Sequence, residues 1–250
     1  MTSRRDPLAY LLGLEQFGIT FGLENVSALV ERLHHPERAF RSVHIAGTNG
    51  KGSVTAMVET ALRAAGHRAA RYTSPHLTDL TERFVIDGQP VAIDALVSVV
   101  ADIRAAIEGL PPLTFFEVTT AAAFELFRRA GVEVGVIEVG LGGRLDATNL
   151  VVPVATAITS IAFDHERYLG STLAAIATEK AGIIKPQVPV VIGDLTLEAT
   201  RAIAAVAQAR GAEMIRASDG ARVEAVATDA SGTRVRLVTP VRDYGEITIG

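Results

Sequence analysis

The residues best suited to chemistry in this chain of 250 residues are the run Gly47-Thr48-Asn49-Gly50-Lys51-Gly52-Ser53. Its three glycines let the backbone approach a polyphosphate closely. The N–H groups that open a following helix can point at the phosphate oxygens, and Lys51 adds a positive point charge. A P-loop works in this way, and the expected ligand is ATP. The spacing is unusual, because the common form is G-x-x-x-x-G-K-[ST] and here Gly52 separates the lysine from Ser53. A tight strand-to-helix connection would use the same residue types, so the flanking elements must decide.

Further side chains stand at informative places. Ser74, in Thr73-Ser74-Pro75-His76-Leu77, follows a short strand-like run; it offers a hydroxyl to a metal or phosphate, or serves as a plain turn serine. Glu138 ends a mostly apolar run, and a carboxylate buried there without a partner is costly. A magnesium role of the Walker-B kind would supply that partner. His165, in Asp164-His165-Glu166, follows another apolar run. Lys180 sits beside Glu179 on a helical stretch, and spacing alone reads it as a solvated surface charge. Thr114 and Glu117 have capping-box spacing, which accounts for Glu117 without a catalytic role. Phe115 and Phe116 read as core. His34-His35 reads as a pair of imidazoles favoured by a helix C-terminus in preference to a metal pair.

The elements that must position these residues follow from periodicity. Leu8 to Phe17 and Val26 to Leu33 have helical apolar spacing, with Gly22 and Asn25 at the turn between them. Ser42 to Ala46 predicts a strand and Val54 to Leu62 a helix, so the glycine run connects strand to helix. Strands are predicted over Arg68 to Thr73, Phe84 to Ile86, Val132 to Val139, Val151 to Ile161, Val188 to Ile192 and Ala212 to Arg216. Helices are predicted from Ile93 to Ile107, Thr114 to Phe127, Leu173 to Ile183 and Thr196 to Arg210. Strands alternating with helices predict an α/β fold, a P-loop-containing and mostly parallel sheet flanked by helices. Beyond residue 220 the pattern changes to Val223 to Val226 and Arg234 to Val238 around Asp229-Ala230-Ser231-Gly232, which is hairpin chemistry. The expected organisation is N-terminal helices over 1–40, a P-loop core over 41–217 and a small β extension over 218–250.

Composition excludes several classes. Apolar residues make up 48% and charged residues 21%, a globular balance. No stretch of 18 uncharged apolar residues occurs, and Met1 to Asp6 does not lead into a signal-type core, so a soluble, cytoplasmic protein without a membrane partner is expected. Cysteine is absent, so any metal must be held by oxygen and imidazole ligands, an inventory that suits magnesium. A net charge of -4 and the absence of Trp give no broad basic or stacking surface for nucleic acid.

Taken together, five segments resemble the folylpolyglutamate synthase and dihydrofolate synthase family of the Mur ligase superfamily, in its N-terminal ATP-binding part. They are His44 to Ser53, Thr73 to Leu77, Glu138 to Asn149, Asp164-His165 with Leu169-Gly170, and Glu179 to Ile183. The glycine after Lys51 is similar to the folate branch. The resemblance implies that Ser74, Glu138 and His165 hold magnesium and that Lys180 is carbamylated, completing a second magnesium site; this reverses the surface reading of Lys180. It also implies that Asp146 lies near the pterin. The implied reaction uses ATP to activate the carboxylate of dihydropteroate or a reduced folate as an acyl phosphate, which the amine of L-glutamate then attacks. Lys51, His165 and Lys180 are the expected catalytic residues. The resemblance further implies a C-terminal domain beyond residue 250, weak or no ligase activity for these residues alone, and a monomer at full length. The rival readings are a ligase acting on a muramyl-peptide precursor and a non-catalytic P-loop module. A dinucleotide-dependent oxidoreductase is disfavoured, because no G-x-G-x-x-G opens the first strand-to-helix turn.

Overall fold

The structure is a computed structural model and describes residues 6–18, 22–229 and 232–249. Its strands are β1 (Arg41–Ala46), β2 (Ala69–Tyr72), β3 (Phe84–Ile86), β4 (Gln89–Pro90), β5 (Val134–Glu138), β6 (Ala155–Ile158), β7 (Val190–Ile192) and β8 (Met214–Arg216). They form one sheet in the order β4-β3-β2-β5-β1-β6-β7-β8. From β2 to β8 all neighbours are parallel, and β3 and β4 add an antiparallel edge. A second sheet of three antiparallel strands follows, β9 (Arg222–Asp229), β10 (Gly232–Val238) and β11 (Asp243–Ile249).

The helices are α1 (Pro7–Gly13), α2 (Glu24–Arg32), α3 (Lys51–Ala64), α4 (Ile93–Ala106), α5 (Phe115–Arg129), α6 (Glu166–Leu169), α7 (Leu173–Ala181), α8 (Leu197–Ala209) and the single turn α9 (Ala217–Gly220). The burial of α5 shows why its sequence is apolar on every face: each residue from Glu117 to Phe127 is buried, as in a helix packed on all sides. It starts at a complete capping box, in which Thr114 Oγ1 accepts the Glu117 N–H at 3.2 Å and the Glu117 carboxylate accepts the Thr114 N–H at 2.7 Å. Helices α1, α2 and α4 pack around it in one apolar cluster with Tyr72 and Ile137. The Tyr72 hydroxyl satisfies itself on Thr119 and Thr120 at 2.9 and 3.3 Å. A second cluster joins α7 and α8 to Ile158 and Ile192.

Three sequence expectations change. The apolar run Val151 to Ile161 supplies a strand only over β6. Pro153 cannot donate a ladder hydrogen bond, and Val152 and Val154 are exposed. Strand β11 is present although no strand is predicted there. Helix α3 begins at Lys51, because Gly50 caps it with φ +80°, a conformation that costs glycine nothing. The hairpin residues Ala230 and Ser231, and the N-terminal residues Met1 to Arg5, lie outside the described residues. Among the described residues no helix is long and apolar enough to cross a membrane.

One contact fixes how β6 and β7 end together. A Cβ built on Gly193 would lie 2.1 Å from the Thr159 carbonyl oxygen. Because backbone cannot rotate away, Gly193→Ala is expected to destabilise the chain by about 2 kcal/mol, read as a lower urea midpoint at unchanged slope. An unchanged midpoint would contradict this packing.

Candidate functional site

The glycine loop is held in place by the end of β6. Gly47 adopts φ +151°, and a Cβ there would meet Thr159 Oγ1 at 2.0 Å. The Thr48 N–H donates to the Ser160 carbonyl at 2.8 Å, and the Asn49 N–H donates to Ser160 Oγ at 2.8 Å. The Asn49 carbonyl in turn accepts from Thr159 Oγ1 at 2.6 Å and Ser160 Oγ at 3.0 Å. The loop is therefore open on the side that leads into α3, whose first N–H groups have no intrahelical partner and are available to an anion. Lys51 folds back, donating from Nζ to the Thr48 carbonyl at 3.1 Å, which places its charge over the loop.

Glu138 ends β5 next to this loop, and the residue is only 4% exposed. Among the described residues it accepts one hydrogen bond, from the Ser74 N–H at 3.1 Å, and no cation lies within ion-pair distance. Burial raises its pKa above the usual carboxylate value, against the smaller lowering effects of the Ser74 N–H and the Lys51 charge. Gly52 occupies the place where the common P-loop has a hydroxyl, and a Cβ there would sit 3.5 Å from Glu138 Oε2. Ser74, whose N–H donates to this carboxylate, arrives from the end of β2 and carries a hydroxyl of its own. The segment after Ser74 is shaped by Glu82, whose carboxylate accepts the N–H groups of Leu77, Thr78 and Asp79.

Lys180 is buried, contrary to its surface reading from spacing, with 3% exposure. Its Nζ donates to the Gly47 carbonyl at 2.9 Å. Burial, and then the charge of Lys51, lower its pKa from 10.5 to about 8. An interlock seats it there. A Cβ on Gly143 would come 2.8 Å from the Lys180 carbonyl oxygen, and one on Gly182 would come 2.3 Å from Arg144 Cβ. The Arg144 N–H donates to the Glu179 carbonyl at 2.9 Å while its guanidinium pairs with the Glu179 carboxylate at 2.9 Å. Asn149 Nδ2 joins the two segments, donating to the carbonyls of Arg144 and Gly182 at 2.9 and 3.2 Å.

Asp146 and His165 line a cavity of about 290 Å³ together with Ser74, Arg83, Phe115 and Phe116. Arg83 is buried, lies 5.1 Å over the Phe115 ring and donates from Nε to His76 Nδ1 at 2.9 Å. His165, in the left-handed region at φ +48°, is exposed and stands 3.6 Å from Asp164. The structure thus links Ser74 to Glu138 and Lys180 to Gly47 directly, and brings His165 to the cavity that Ser74 shares. Among the described residues no three His, Asp or Glu side chains converge as a metal cage. Ser74 and His165 border one cavity, and the Ser74 N–H reaches the desolvated Glu138, which has no cation partner among the described residues; these oxygen and nitrogen donors are of the chemical type a divalent cation takes. Sequence reasoning missed Thr159, Ser160, Glu82 and Arg83. The first two follow an apolar run whose strand ends on the same sheet edge as Glu138, and the rule that singled out Glu138 would have found them.

A family model described as the Mur ligase middle domain matches residues 45–249. The folylpolyglutamate synthase of Lacticaseibacillus casei is 39% identical over 217 residues, covering 84% of this chain and 51% of that protein. The dihydrofolate synthase/folylpolyglutamate synthase of Escherichia coli is 42% identical over 209 residues, covering 84% of this chain and 49% of that protein. The chain therefore spans about half the length of these curated relatives. A solved FPGS-AMPPCP-folate complex superposes with a TM-score of 0.90 at 35% identity, over 99% of this chain and 61% of that one.

The strand that feeds the loop also carries a pH-sensitive group. His44 is fully buried on β1, and burial, with a smaller effect of Lys185, lowers its pKa from 6.5 to about 3. The unfolded chain protonates this ring as pH falls through 6.5, whereas the folded chain resists until about 3. Unfolding therefore takes up a proton in that window, and stability, complete above 6.5, is lost as pH falls towards 3. The fall in unfolding free energy between pH 6.5 and 5 is expected to be steeper for the wild type than for His44→Asn; equal slopes in denaturant titrations would contradict it.

Proposed function

The chain belongs to the Mur ligase middle-domain family, in its folylpolyglutamate synthase and dihydrofolate synthase branch, and from this we propose that it forms the nucleotide-binding part of an ATP-dependent ligase joining L-glutamate to a pterin or folate carboxylate. The observation that carries the reading is the meeting of the glycine loop with Glu138, Ser74 and Lys180 on one sheet edge, where phosphate and carboxylate charge can be neutralised together.

In this reading the loop N–H groups and Lys51 hold the γ-phosphate of ATP and offset its negative charge. An oxygen of the substrate carboxylate forms a bond to the γ-phosphorus as the bond to the ADP oxygen breaks, giving an acyl phosphate. The glutamate amine then attacks the acyl carbon, the C–O bond to phosphate breaks, and the amine loses a proton. No protein nucleophile is needed. Magnesium, when bound, supplies further neutralisation of the phosphate oxygens. Ser74, Glu138 and His165 would hold one ion, and a carbamylated Lys180 a second.

The Lys180 environment supports that modification. Its amine adds to carbon dioxide only when neutral, losing one proton and becoming an anionic carbamate. A pKa of about 8 leaves a substantial neutral fraction at mildly alkaline pH. The carbamate nitrogen keeps one hydrogen, which can still donate to the Gly47 carbonyl. The aromatic walls of Phe115 and Phe116 with the Asp146 carboxylate suit a flat heterocycle bearing N–H donors, which favours a pterin over a muramyl-peptide acceptor.

Three measurements test this reading. Protein equilibrated with ¹³C-bicarbonate is expected to show a carbamate resonance that Lys180→Ala lacks; no such signal in the wild type would refute the modification. Calorimetry is expected to show MgATP affinity reduced at least about tenfold by Lys51→Ala, and magnesium-dependent tightening of ATP lost in Glu138→Gln. Binding of dihydropteroate or tetrahydrofolate, set against a uridine-linked muramyl peptide, decides the acceptor; preference for the peptide would overturn the folate assignment.

A further inference from the structure

Beneath the Asp146 carboxylate runs a buried chain of hydrogen bonds that the proposed reaction does not use. Asp146 Oδ1 accepts the Thr148 N–H at 3.0 Å and also the Thr148 hydroxyl through a short contact, and Oδ2 accepts the Leu141 N–H at 2.8 Å. Behind Thr148, His44 Nε2 lies 2.9 Å from the same hydroxyl oxygen. Thr148 and His44 are both fully buried, and Asp146 is 6% exposed where it lines the cavity.

Proton counting orients this chain. Burial raises the pKa of Asp146, but both its oxygens accept backbone N–H groups, the pattern of an ionised carboxylate, which can only accept; the single Thr148 hydroxyl hydrogen then points at Oδ1. The contact with His44 must then be an Nε2–H donating to the hydroxyl oxygen, which leaves His44 neutral with a bare Nδ1. That nitrogen is buried and has no hydrogen-bond partner among the described residues, a cost tolerated within a chain otherwise satisfied at every joint. On the carboxylate, Oδ1 is saturated by its two bonds to Thr148. Oδ2 takes the Leu141 N–H, with the Gly140 N–H a weaker donor to the carboxylate, and carries no bond from Thr148, so it is the oxygen left to meet an N–H from a molecule in the cavity.

We propose that Thr148, with His44 behind it, is a positioning residue for substrate recognition: it saturates one oxygen of Asp146 and so turns the other towards a ring N–H donor of the bound heterocycle. The proposal rests on the pterin reading of the cavity and adds to it the residues that set the geometry of recognition. It gives a function to His44, whose ring touches no part of the cavity and lies on β1 just ahead of the glycine loop. Thr148→Val keeps the branched shape and the backbone N–H but removes the hydroxyl; Thr148→Ser keeps the hydroxyl.

The experiment measures dihydropteroate binding to the chain by calorimetry. Thr148→Val is expected to weaken it about tenfold, with MgATP affinity within about twofold of wild type, and Thr148→Ser is expected to restore most of the loss. In a double-mutant cycle, adding Thr148→Val to Asp146→Asn is expected to cost little beyond Asp146→Asn alone, because Thr148 acts through that carboxylate. In ¹⁵N NMR the wild-type His44 ring is expected to carry its proton on Nε2, which remains readable if the valine variant folds poorly. Wild-type affinity in Thr148→Val, full additivity in the cycle, or a proton on His44 Nδ1 each overturns the positioning role. Failure of the wild type to bind dihydropteroate instead overturns the pterin reading, and this role with it.

Discussion

The site depends on one strand, β1, being flanked on both sides by parallel partners. On one side β5 pairs Ile45 with Glu138, and on the other β6 pairs Ala46 with Ile158. Parallel strands in register end together, so the glycine loop, the Glu138 carboxylate and the Thr159-Ser160 hydroxyls all emerge at one edge. This is the edge at which open α/β sheets bind ligands. The loop adds little rigidity of its own. Its shape comes from the Thr159 and Ser160 hydroxyls and the Ser160 carbonyl at the end of β6, and Thr159 Oγ1 occupies the space that a side chain on Gly47 would take.

Charge burial is the second organising feature. Glu138 and Lys180 reach the glycine loop from different elements, and burial pushes each towards its neutral form. Neither has an ion-pair partner among the described residues, in contrast to Glu59, which is equally buried but receives Arg63 at 2.6 Å and Arg71 at 2.9 Å. The Glu59 cluster is internally satisfied and consistent with a structural role. The groups at the sheet edge are left electrostatically incomplete, as groups awaiting a charged ligand would be.

Much of this was legible in the sequence where the cause is local. The glycine run, the Thr114 and Glu117 box and the apolar strands all act within a few residues, and they appear where periodicity and turn chemistry put them. Lys180 was not legible from spacing, because its burial results from Gly143 and Gly182 removing the side chains that would keep α7 away from the Arg144 turn, a fit between segments some 40 residues apart. His44 looked like an ordinary strand residue for the same reason, since its partner Thr148 lies 104 residues away. The strand predicted over Val151 to Ile161 failed locally, at Pro153, whose missing N–H was visible but outweighed by the apolar run. The resemblance to the folate ligases filled part of this gap by naming Lys180, but the packing that buries it emerges only in three dimensions.

The dependence of the loop on β6 has a consequence for the order in which the protein forms. The Asn49 carbonyl is held by hydroxyls 110 and 111 residues further along the chain, and β1 has no neighbour in the sheet that is adjacent to it in sequence. Contacts of such sequence separation close late, because loop-closure entropy is lost before they contribute. During synthesis the glycine loop leaves the ribosome ahead of Thr159, and a nascent chain that stops before that residue contains neither brace. The glycine loop is therefore made well before the strand end that braces it, and acquires its native shape only after that strand end is in place.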